Sequence, residues 1–301
     1  MGINAPCAAR LARAKQDGVD FTDTLTIGRM GMAVPEAELA AIAGAVGLDP
    51  AIGRDLASDR FADRFFRLVL GAKTLRSIDN SAYQDASIIH DMNRPVPAEL
   101  HESCDVLYDG GAMEHIFDVK QVMTNYMNMV RPGGHIFINV PANNLFGHGF
   151  YQFSSEFFYR VFEPSNGFAV RDMLVIESPF ISVEAGREWH CFRTIDPAVV
   201  GTRVRLVSDK PLMLFVQAER TQRVVPFAQP PMQSDYQTRW NEDNKIRDAA
   251  PPAAENTADE RLEEPFSYLT RWQDLKRRLK QRRKHSLLNR LFFQRIDPLQ
   301  R

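Results

Sequence analysis

Residues 105–153 read DVLYDGGAMEHIFDVKQVMTNYMNMVRPGGHIFINVPANNLFGHGFYQF, and this stretch decides the fold class. It holds two apolar, β-rich runs, residues 106–108 and 135–140, with one helix-length segment between them. Both runs end in small or polar residues, Asp-Gly-Gly and Pro-Ala-Asn-Asn. In open α/β sheets, the carboxyl ends of the strands form the edge where ligands bind. The stretch therefore predicts an enzyme site on a doubly wound α/β scaffold.

The alternation of strands and helices continues on both sides of this stretch. Helical spacing of apolar residues predicts helices over residues 36–46, 60–70 and 119–130. Further strands are predicted at residues 24–27, 74–78, 87–90, 170–177 and 212–218. Strands that alternate with helices indicate a mainly parallel, Rossmann-like sheet with right-handed crossovers.

The composition is that of a soluble globular protein. The 301 residues carry a net charge of −1, which gives no overall field for nucleic acid. The cysteines at positions 7, 104 and 191 are odd in number and far apart, which suits a reducing cytoplasm. No apolar run reaches the roughly 18 residues of a membrane span, and the first residues lack the apolar core of a secretion signal. We predict a cytoplasmic protein.

The last quarter of the chain differs in character. Residues 229–265 are rich in Pro, Gln, Ala and acidic side chains, and they predict a flexible linker after a domain of residues 1–228. Residues 266–301 predict a basic amphipathic helix or tail. Such a helix could contact an acidic membrane surface through residues 266–293, and a protein-docking helix or a solvated basic tail is the other interpretation.

Four successive predicted strands end in acidic or glycine-containing turns. These turns are Gly28-Arg29, Asp79-Asn80, Asp91-Met92 and Asp109-Gly110-Gly111. A carboxylate after the second strand suits a ribose diol, and a second carboxylate beside an apolar residue suits an adenine. Glycine allows the backbone to approach a ligand closely. The alternative is that Asp, Asn and Gly are ordinary turn formers.

These motifs carry a resemblance. The order LTIG, SID, IIHDMN, DVLYDGGAMEHIFD, VRPGGHIFINVP resembles class I S-adenosylmethionine-dependent methyltransferases over residues 24–218. More narrowly, it looks like a subgroup often found among polysaccharide or surface-glycan genes. The resemblance implies S-adenosylmethionine as cofactor, with Asp79 at the ribose, Asp91 and Met92 at the adenine, and residues 109–111 under the methionine. By the same resemblance, residues 131–134 form a structural turn into the fifth strand.

Residues 143–154, NNLFGHGFYQFS, predict the acceptor side of the site. Methyl transfer to a hydroxyl needs a base, and an imidazole ordinarily titrates near neutral pH. We therefore predict His148 as the catalytic base, with an ordered loop as the alternative role. His115 competes for that role, although His115 and Glu114 could instead cap a helix. The predicted acceptor contacts are His115, Asn143, Asn144, Tyr151 and Gln152.

The leading prediction is O-methylation of a small polar or sugar-like acceptor. The first-strand loop lacks the acidic residue of the wider superfamily and carries Arg29, which favours a catalytically inactive scaffold as the second hypothesis. A dinucleotide enzyme ranks last because the Gly-x-Gly-x-x-Gly loop is missing. The histidines at positions 90, 101, 190 and 285 form no metal-ligand spacing with cysteines or carboxylates, so no metal site is predicted. The oligomeric state is not predicted.

Overall fold

A computed structural model describes residues 2–178, 189–240, 279–280 and 283–299 of the chain. Its strands are β1 (Gly2–Asn4), β2 (Asp23–Ile27), β3 (Gly31–Ala33), β4 (Thr74–Asp79), β5 (Ile88–Ile89), β6 (Cys104–Asp109), β7 (Val130–Asn143), β8 (Phe168–Glu177), β9 (His190–Thr194), β10 (Leu212–Arg220) and β11 (Phe293–Ile296). Its helices are α1 (Ala5–Gln16), α2 (Glu36–Ala45), α3 (Ile52–Ala57), α4 (Asp63–Leu68), α5 (Val119–Met129), α6 (Ser155–Val161) and α7 (Pro197–Val200), with a further helical stretch at 234–240.

Nine of these strands form one sheet in the order β11-β9-β8-β10-β7-β6-β2-β4-β5. The five strands from β5 to β7 are parallel, and β10 lies antiparallel between β7 and β8. The prediction of a mainly parallel sheet with an antiparallel last strand is confirmed. Strands β9 and β11, which extend the β8 edge, were not predicted.

The strand order reverses between β2 and β6. From β2 the chain proceeds outward to β4 and β5, and then crosses back to β6 and β7 on the other side. In doubly wound folds such a reversal opens a crevice beyond the carboxyl ends of the strands. The predicted polar turns after β2, β4, β5 and β6 therefore share one edge, as expected.

Two hydrophobic clusters cover the two faces of this sheet. Helices α5 and α6 pack on one face against Leu107, Ile136 and Ile138. Helices α1 to α4 pack on the other face against Tyr108 and Phe137. Successive side chains along β6 and β7 therefore point to opposite faces of the sheet and fill the two clusters in turn. The residues of the site come from the turns and loops that follow these strands.

The first 16 residues form structure that the sequence did not reveal. Helix α1 begins at an N-cap, Asn4, whose side chain accepts a hydrogen bond from Cys7 N at 3.0 Å. Five of its twelve residues are alanine, so it packs closely without the stripe of large apolar residues that indicates an amphipathic helix. Strand β1 precedes α1 and pairs in parallel with β3.

The turn predicted at 131–134 lies within β7, where a register shift relative to β6 accommodates it. Its structural role is supported by Arg131. The guanidinium of Arg131 pairs with Asp105, and also with Asp23 at 2.9 Å. These contacts tie the amino ends of β2, β6 and β7 together.

The predicted linker and basic helix lie largely outside the described residues. Within the linker range, residues 234–240 are helical, and Ser234 donates hydrogen bonds to the Glu156 carboxylate at 2.7 and 3.0 Å. The prediction that the basic helix extends to Phe293 is wrong. Phe293 starts β11 and is 2% exposed, because its ring packs into the core instead of continuing a surface helix. No helix in the described ranges combines the length and the apolar character needed to cross a membrane.

Residues at the two ends of the described chain meet beside the sheet. Strand β11 pairs antiparallel with β9. Arg10 of α1 donates a hydrogen bond to the carbonyl of Pro298 at 3.2 Å and another to Asp172 at 2.6 Å. Asp172 also accepts a hydrogen bond from Arg193. This buried network joins α1, β8, β9 and the segment that follows β11.

Candidate functional site

Glu114, His115 and His148 come together beyond the carboxyl ends of β6 and β7. Glu114 and His115 belong to a short 3-10 turn, residues 113–115, that follows the Asp-Gly-Gly turn. His148 belongs to the loop that follows β7. Oε1 of Glu114 lies 3.3 Å from Nε2 of His148 and 3.8 Å from Nε2 of His115. The two imidazole centroids are 4.9 Å apart and meet edge to face.

Asp109 organises the turn that presents Glu114. Its carboxylate is buried and accepts hydrogen bonds from the backbone N–H groups of Gly111, Ala112 and Met113 at 2.7 to 3.1 Å. The hydroxyl of Tyr126 donates a fourth hydrogen bond at 2.8 Å. Burial raises the pKa of Asp109, and these hydrogen bonds act in the opposite direction. The carboxylate therefore has a structural role, whereas cofactor contact through the turn remains a prediction.

The loop carrying His148 folds back onto Glu114. The carbonyl of Glu114 accepts hydrogen bonds from the N–H groups of Phe150 at 2.7 Å and Tyr151 at 3.3 Å. Between them and His148, Gly149 has φ +72°, and a Cβ there would lie 2.7 Å from the Glu114 carbonyl oxygen. Only glycine allows the loop to approach this closely, and this contact holds His148 beside Glu114.

Glu114 is completely buried, and neither carboxylate oxygen has a hydrogen-bond partner among the described residues. Burial, followed by the charge of Asp109, raises the pKa of Glu114 to about 8. Buried polar groups are nearly always hydrogen-bonded, so an unpartnered carboxyl points to a functional site. The predicted capping role is wrong, because α5 begins only at Val119 and its cap is Asp118.

The two imidazoles reach solvent, while Glu114 does not. The side chains of His115 and His148 are 49% and 51% exposed. Burial, followed by the charge of His148, lowers the pKa of His115. Phe117 and Phe150 flank them, 71% and 65% exposed, with ring centroids 5.9 Å apart. Exposed aromatic rings beside polar groups are typical of ligand-binding surfaces.

The other predicted acceptor residues make contacts within the protein. The side chain of Asn144 donates hydrogen bonds to the carbonyls of Ser208 and Lys210. Three others bond close by: Asn143 accepts from the N–H of Asn144, Gln152 accepts from the N–H of Leu145, and the Tyr151 hydroxyl donates to the carbonyl of Phe117. These contacts shape the loop around His148, and substrate contact by these residues remains a prediction.

The residues predicted for the adenosine half lie at the ends of β4 and β5. Asp79 is partly buried and accepts a hydrogen bond from the N–H of the exposed Asn80 at 2.7 Å. Asp91 accepts hydrogen bonds from the side chain and N–H of Asn93, and these lower its pKa. Met92 is 4% exposed and packs in the core with α5. Its side chain is therefore not an open face for an adenine.

The side chain of Arg29 contacts α4 and the turn that follows β4. Its guanidinium pairs with Asp63 at 2.7 Å and lies 4.1 Å from the ring centroid of Phe61. A hydrogen bond from Gly28 N to the Ile78 carbonyl at 2.7 Å fixes the start of the loop. The guanidinium also lies 3.4 Å from the Asp85 carboxylate, in the turn that follows β4. Cofactor contact by Gly28 and Arg29 remains a prediction.

Met30 and strand β1 lie against Gly110. A Cβ at Gly110 would lie 2.7 Å from Sδ of Met30 and 2.8 Å from the Gly2 carbonyl oxygen. The N–H of Gly2 also donates a hydrogen bond to the Gly110 carbonyl at 3.1 Å. The close approach predicted for a ligand at Gly110 is thus made by the chain itself. Sequence reasoning missed this contact because β1 gives no strand signal of its own.

A separate apolar cleft of about 770 Å³ opens between α5, α6 and residues 227–233. Its lining includes Met123, Phe157, Val161, Phe227 and Met232. These residues are far apart in sequence, so no local pattern predicted the cleft.

We expect Gly149→Ala to lower the free energy of unfolding by about 1–2 kcal/mol. Alanine is strained at the left-handed backbone of this position, and its Cβ would collide with the Glu114 carbonyl. Urea unfolding measures this loss. Gly147→Ala is the matched control in the same loop, because a Cβ there meets nothing within 4 Å. Equal losses in the two variants would refute the close contact at Gly149.

No protein-family model matches the sequence, and no curated protein matches it either. Solved structures give matches, all at low identity. One is a chain of the complex between the Haloferax volcanii Trm112 methyltransferase activator and a methyltransferase, with 14% identity, 71% of this chain and 90% of that chain covered, and a TM-score of 0.38.

Two further matches are enzymes with bound S-adenosylhomocysteine. The Burkholderia thailandensis 1,6-didemethyltoxoflavin-N1-methyltransferase is 13% identical, with 71% of this chain and 79% of that chain covered and a TM-score of 0.37. The Haemonchus contortus phosphoethanolamine N-methyltransferase 2 is 14% identical, with 71% and 52% covered and a TM-score of 0.36. At these values the likeness carries no argument about activity. The strand order itself establishes a Rossmann-like α/β fold.

Proposed function

We propose that this protein is an S-adenosylmethionine-dependent methyltransferase that methylates an oxygen of a small polar or sugar-like acceptor. The observation that carries the proposal is the Glu114–His115–His148 cluster beside the switch point between β2 and β6. Such a crevice is where doubly wound folds bind ligands, and the cluster provides groups that can take up a proton.

Two carboxylates at the edge of the sheet support a site for the adenosine half of the cofactor. Asp79 and Asp91 lie after neighbouring strands, β4 and β5. Among the described residues neither carboxylate pairs with a buried cation, and Asp91 lies 3.7 Å from the exposed Arg94. A ribose diol would bind at Asp79, and the adenine would lie toward Asp91. At the methionine end, Met30 and Gly2 lie over Gly110, so this half of the crevice is narrower.

When bound, S-adenosylmethionine supplies an electrophilic methyl group on a sulfonium. The chain must hold the acceptor oxygen in line with that methyl group and remove the hydroxyl proton. We assign proton removal to Nε2 of His148, which is half-exposed and 3.3 Å from Glu114. The neighbouring Glu114 carboxyl, whose pKa is raised to about 8, can share the proton in its ionised form. Phe117 and Phe150 offer apolar rings on which one face of a sugar could stack.

Calorimetric titration of the full chain with S-adenosylmethionine tests the proposal. We expect binding to the wild type and at least a tenfold weaker affinity for Asp79→Ala. Asp49→Ala is a matched control. The exposed Asp49 likewise accepts a hydrogen bond from a nearby backbone N–H, that of Ala51, but it belongs to the connection between α2 and α3 and follows no strand of the sheet. No binding at millimolar cofactor would refute the cofactor proposal, and an unchanged affinity of Asp79→Ala would refute the role of Asp79.

A second candidate is a methyltransferase-like scaffold without activity. It is favoured by the packing of Met30 and Gly2 against Gly110, which closes part of the crevice. Absence of cofactor binding in the same titration supports this candidate, whereas binding with the expected loss in Asp79→Ala contradicts it.

A further inference from the structure

We propose that Glu114, His115 and His148 bind one divalent transition-metal ion. The three ligand atoms would be Oε1 of Glu114 and Nε2 of each histidine. One ligand atom from each of the three residues lies within 4.8 Å of the other two, and Nε2 is the imidazole nitrogen that each histidine places near Oε1. The sequence did not predict this site, because the ligands come from two separate loops.

The separations of these atoms are close to those of a real metal site. Zinc bonds to nitrogen and oxygen of about 2.0–2.1 Å place the ligand atoms of a tetrahedron roughly 3.3–3.5 Å apart. Oε1 of Glu114 lies 3.3 Å from one imidazole nitrogen and 3.8 Å from the other. Small rotations of the two half-exposed imidazoles would complete the geometry.

Glu114 provides a second, independent observation that points to a cation. It is fully buried, and neither oxygen has a hydrogen-bond partner within the described part of the chain. Its Oε1 faces the two histidines, and no arginine or lysine is paired with it in the described ion pairs. A buried carboxylate without a partner is costly, and a cation bound at Oε1 would offset that cost.

Backbone contacts hold the loop of His148 against Glu114. The Glu114 carbonyl binds the N–H groups of Phe150 and Tyr151, which positions His148. Gly111 also allows a close approach, since a Cβ there would lie 3.2 Å from Oε1 of Glu114. Ligands whose orientation is fixed by surrounding contacts are characteristic of metal sites.

The ligand set selects the kind of ion. Imidazole nitrogen suits zinc and other first-row transition metals, whereas magnesium and calcium prefer oxygen ligands. Two histidines and one carboxylate leave at least one coordination position open, as in catalytic zinc sites. The exposure of both imidazoles places that open position toward solvent.

One consequence rests on the proposed methyltransferase function. A hydroxyl acceptor at the open position would lose its proton to water more readily, because a metal ion lowers the pKa of a bound oxygen. His148 would then be a ligand, and its role as base would apply only to the metal-free cluster. Metal binding itself does not depend on this function.

Titration of the full chain with ZnCl₂, after treatment with a chelator and dialysis, tests the inference by calorimetry. We expect one high-affinity zinc ion per chain and at least a tenfold weaker affinity in both His115→Ala and His148→Ala. Because both side chains are half-exposed, we expect these variants to fold like the wild type, and thermal unfolding measures whether they do. The control is His101→Ala, an exposed histidine that precedes β6 and so lies at the opposite end of that strand from the cluster, and it should bind zinc like the wild type.

A wild-type chain without a high-affinity zinc ion would overturn the inference, as would unchanged binding in His148→Ala. Loss of binding in His101→Ala equal to that in His148→Ala would also overturn it. The cofactor titration separates the two proposals. Zinc binding without S-adenosylmethionine binding retains the metal site and refutes the methyltransferase, and the reverse result refutes the metal site alone.

Discussion

Asp109→Ala is expected to lower the free energy of unfolding by about 3–5 kcal/mol. The substitution leaves three backbone N–H groups and the Tyr126 hydroxyl without their shared acceptor inside the protein. Each buried donor that loses its partner costs about 1–3 kcal/mol, and water that enters the space recovers part of this cost. Urea unfolding followed by circular dichroism measures the difference.

Tyr126→Phe is the companion variant, because it removes only one of the four donors. We expect it to lower the free energy of unfolding by about 1 kcal/mol. The difference between the two variants then gives the contribution of the three backbone N–H groups. If the free energy of unfolding of Asp109→Ala is within about 1 kcal/mol of the wild-type value, Asp109 does not organise the turn. The carboxylate would then be available for a ligand after all.

Glu114→Gln is expected to remove a large pH dependence of stability from the metal-free chain. The carboxyl has a pKa of about 8 in the folded protein, against an ordinary value of 4.5. Between these two pH values the carboxyl of Glu114 is ionised in the unfolded chain but still protonated in the folded protein. The free energy of unfolding of the wild type therefore falls by about 1.4 kcal/mol per pH unit as the pH rises, and the fall ends above about pH 8.

The glutamine variant has no proton to lose, so this contribution should be absent. The measurement is urea unfolding of both proteins from about pH 5 to pH 8 in the presence of a chelator, where the difference should reach about 3–4 kcal/mol. Titrating groups distant from Glu114 contribute equally to both proteins and cancel in the difference. Parallel pH profiles would show that Glu114 titrates like an exposed carboxyl.

The main sheet could be predicted because its strands carry local signals. Residues 106–108 and 135–140 are apolar runs that end in turn formers, and they became β6 and the buried part of β7. The antiparallel pair β8 and β10 was equally visible. Strands β9 and β11 were missed because their pairing joins residues about a hundred positions apart.

The site was predicted only in part, for a physical reason. A sequence pattern shows that Asp109 ends a strand, but not that four donors of its own chain occupy the carboxylate. In the same way, the sequence suggested Glu114 as a helix cap, because no local pattern shows that the loop carrying His148 packs against it. Gly110 looked open to a ligand because nothing in residues 2–4 predicted that they would lie against it.

The pairing of β11 with β9 bears on how the protein is made by the ribosome. Strands β2 to β7 can assemble while later residues are still being synthesised, since domains fold progressively from the amino-terminal side. The outer edge of β9 must wait for residues 293–296 before its backbone is paired. An unpaired edge is a template for association with other chains. Translation that stalls before residue 293 would therefore leave a nascent chain prone to aggregation and dependent on chaperones.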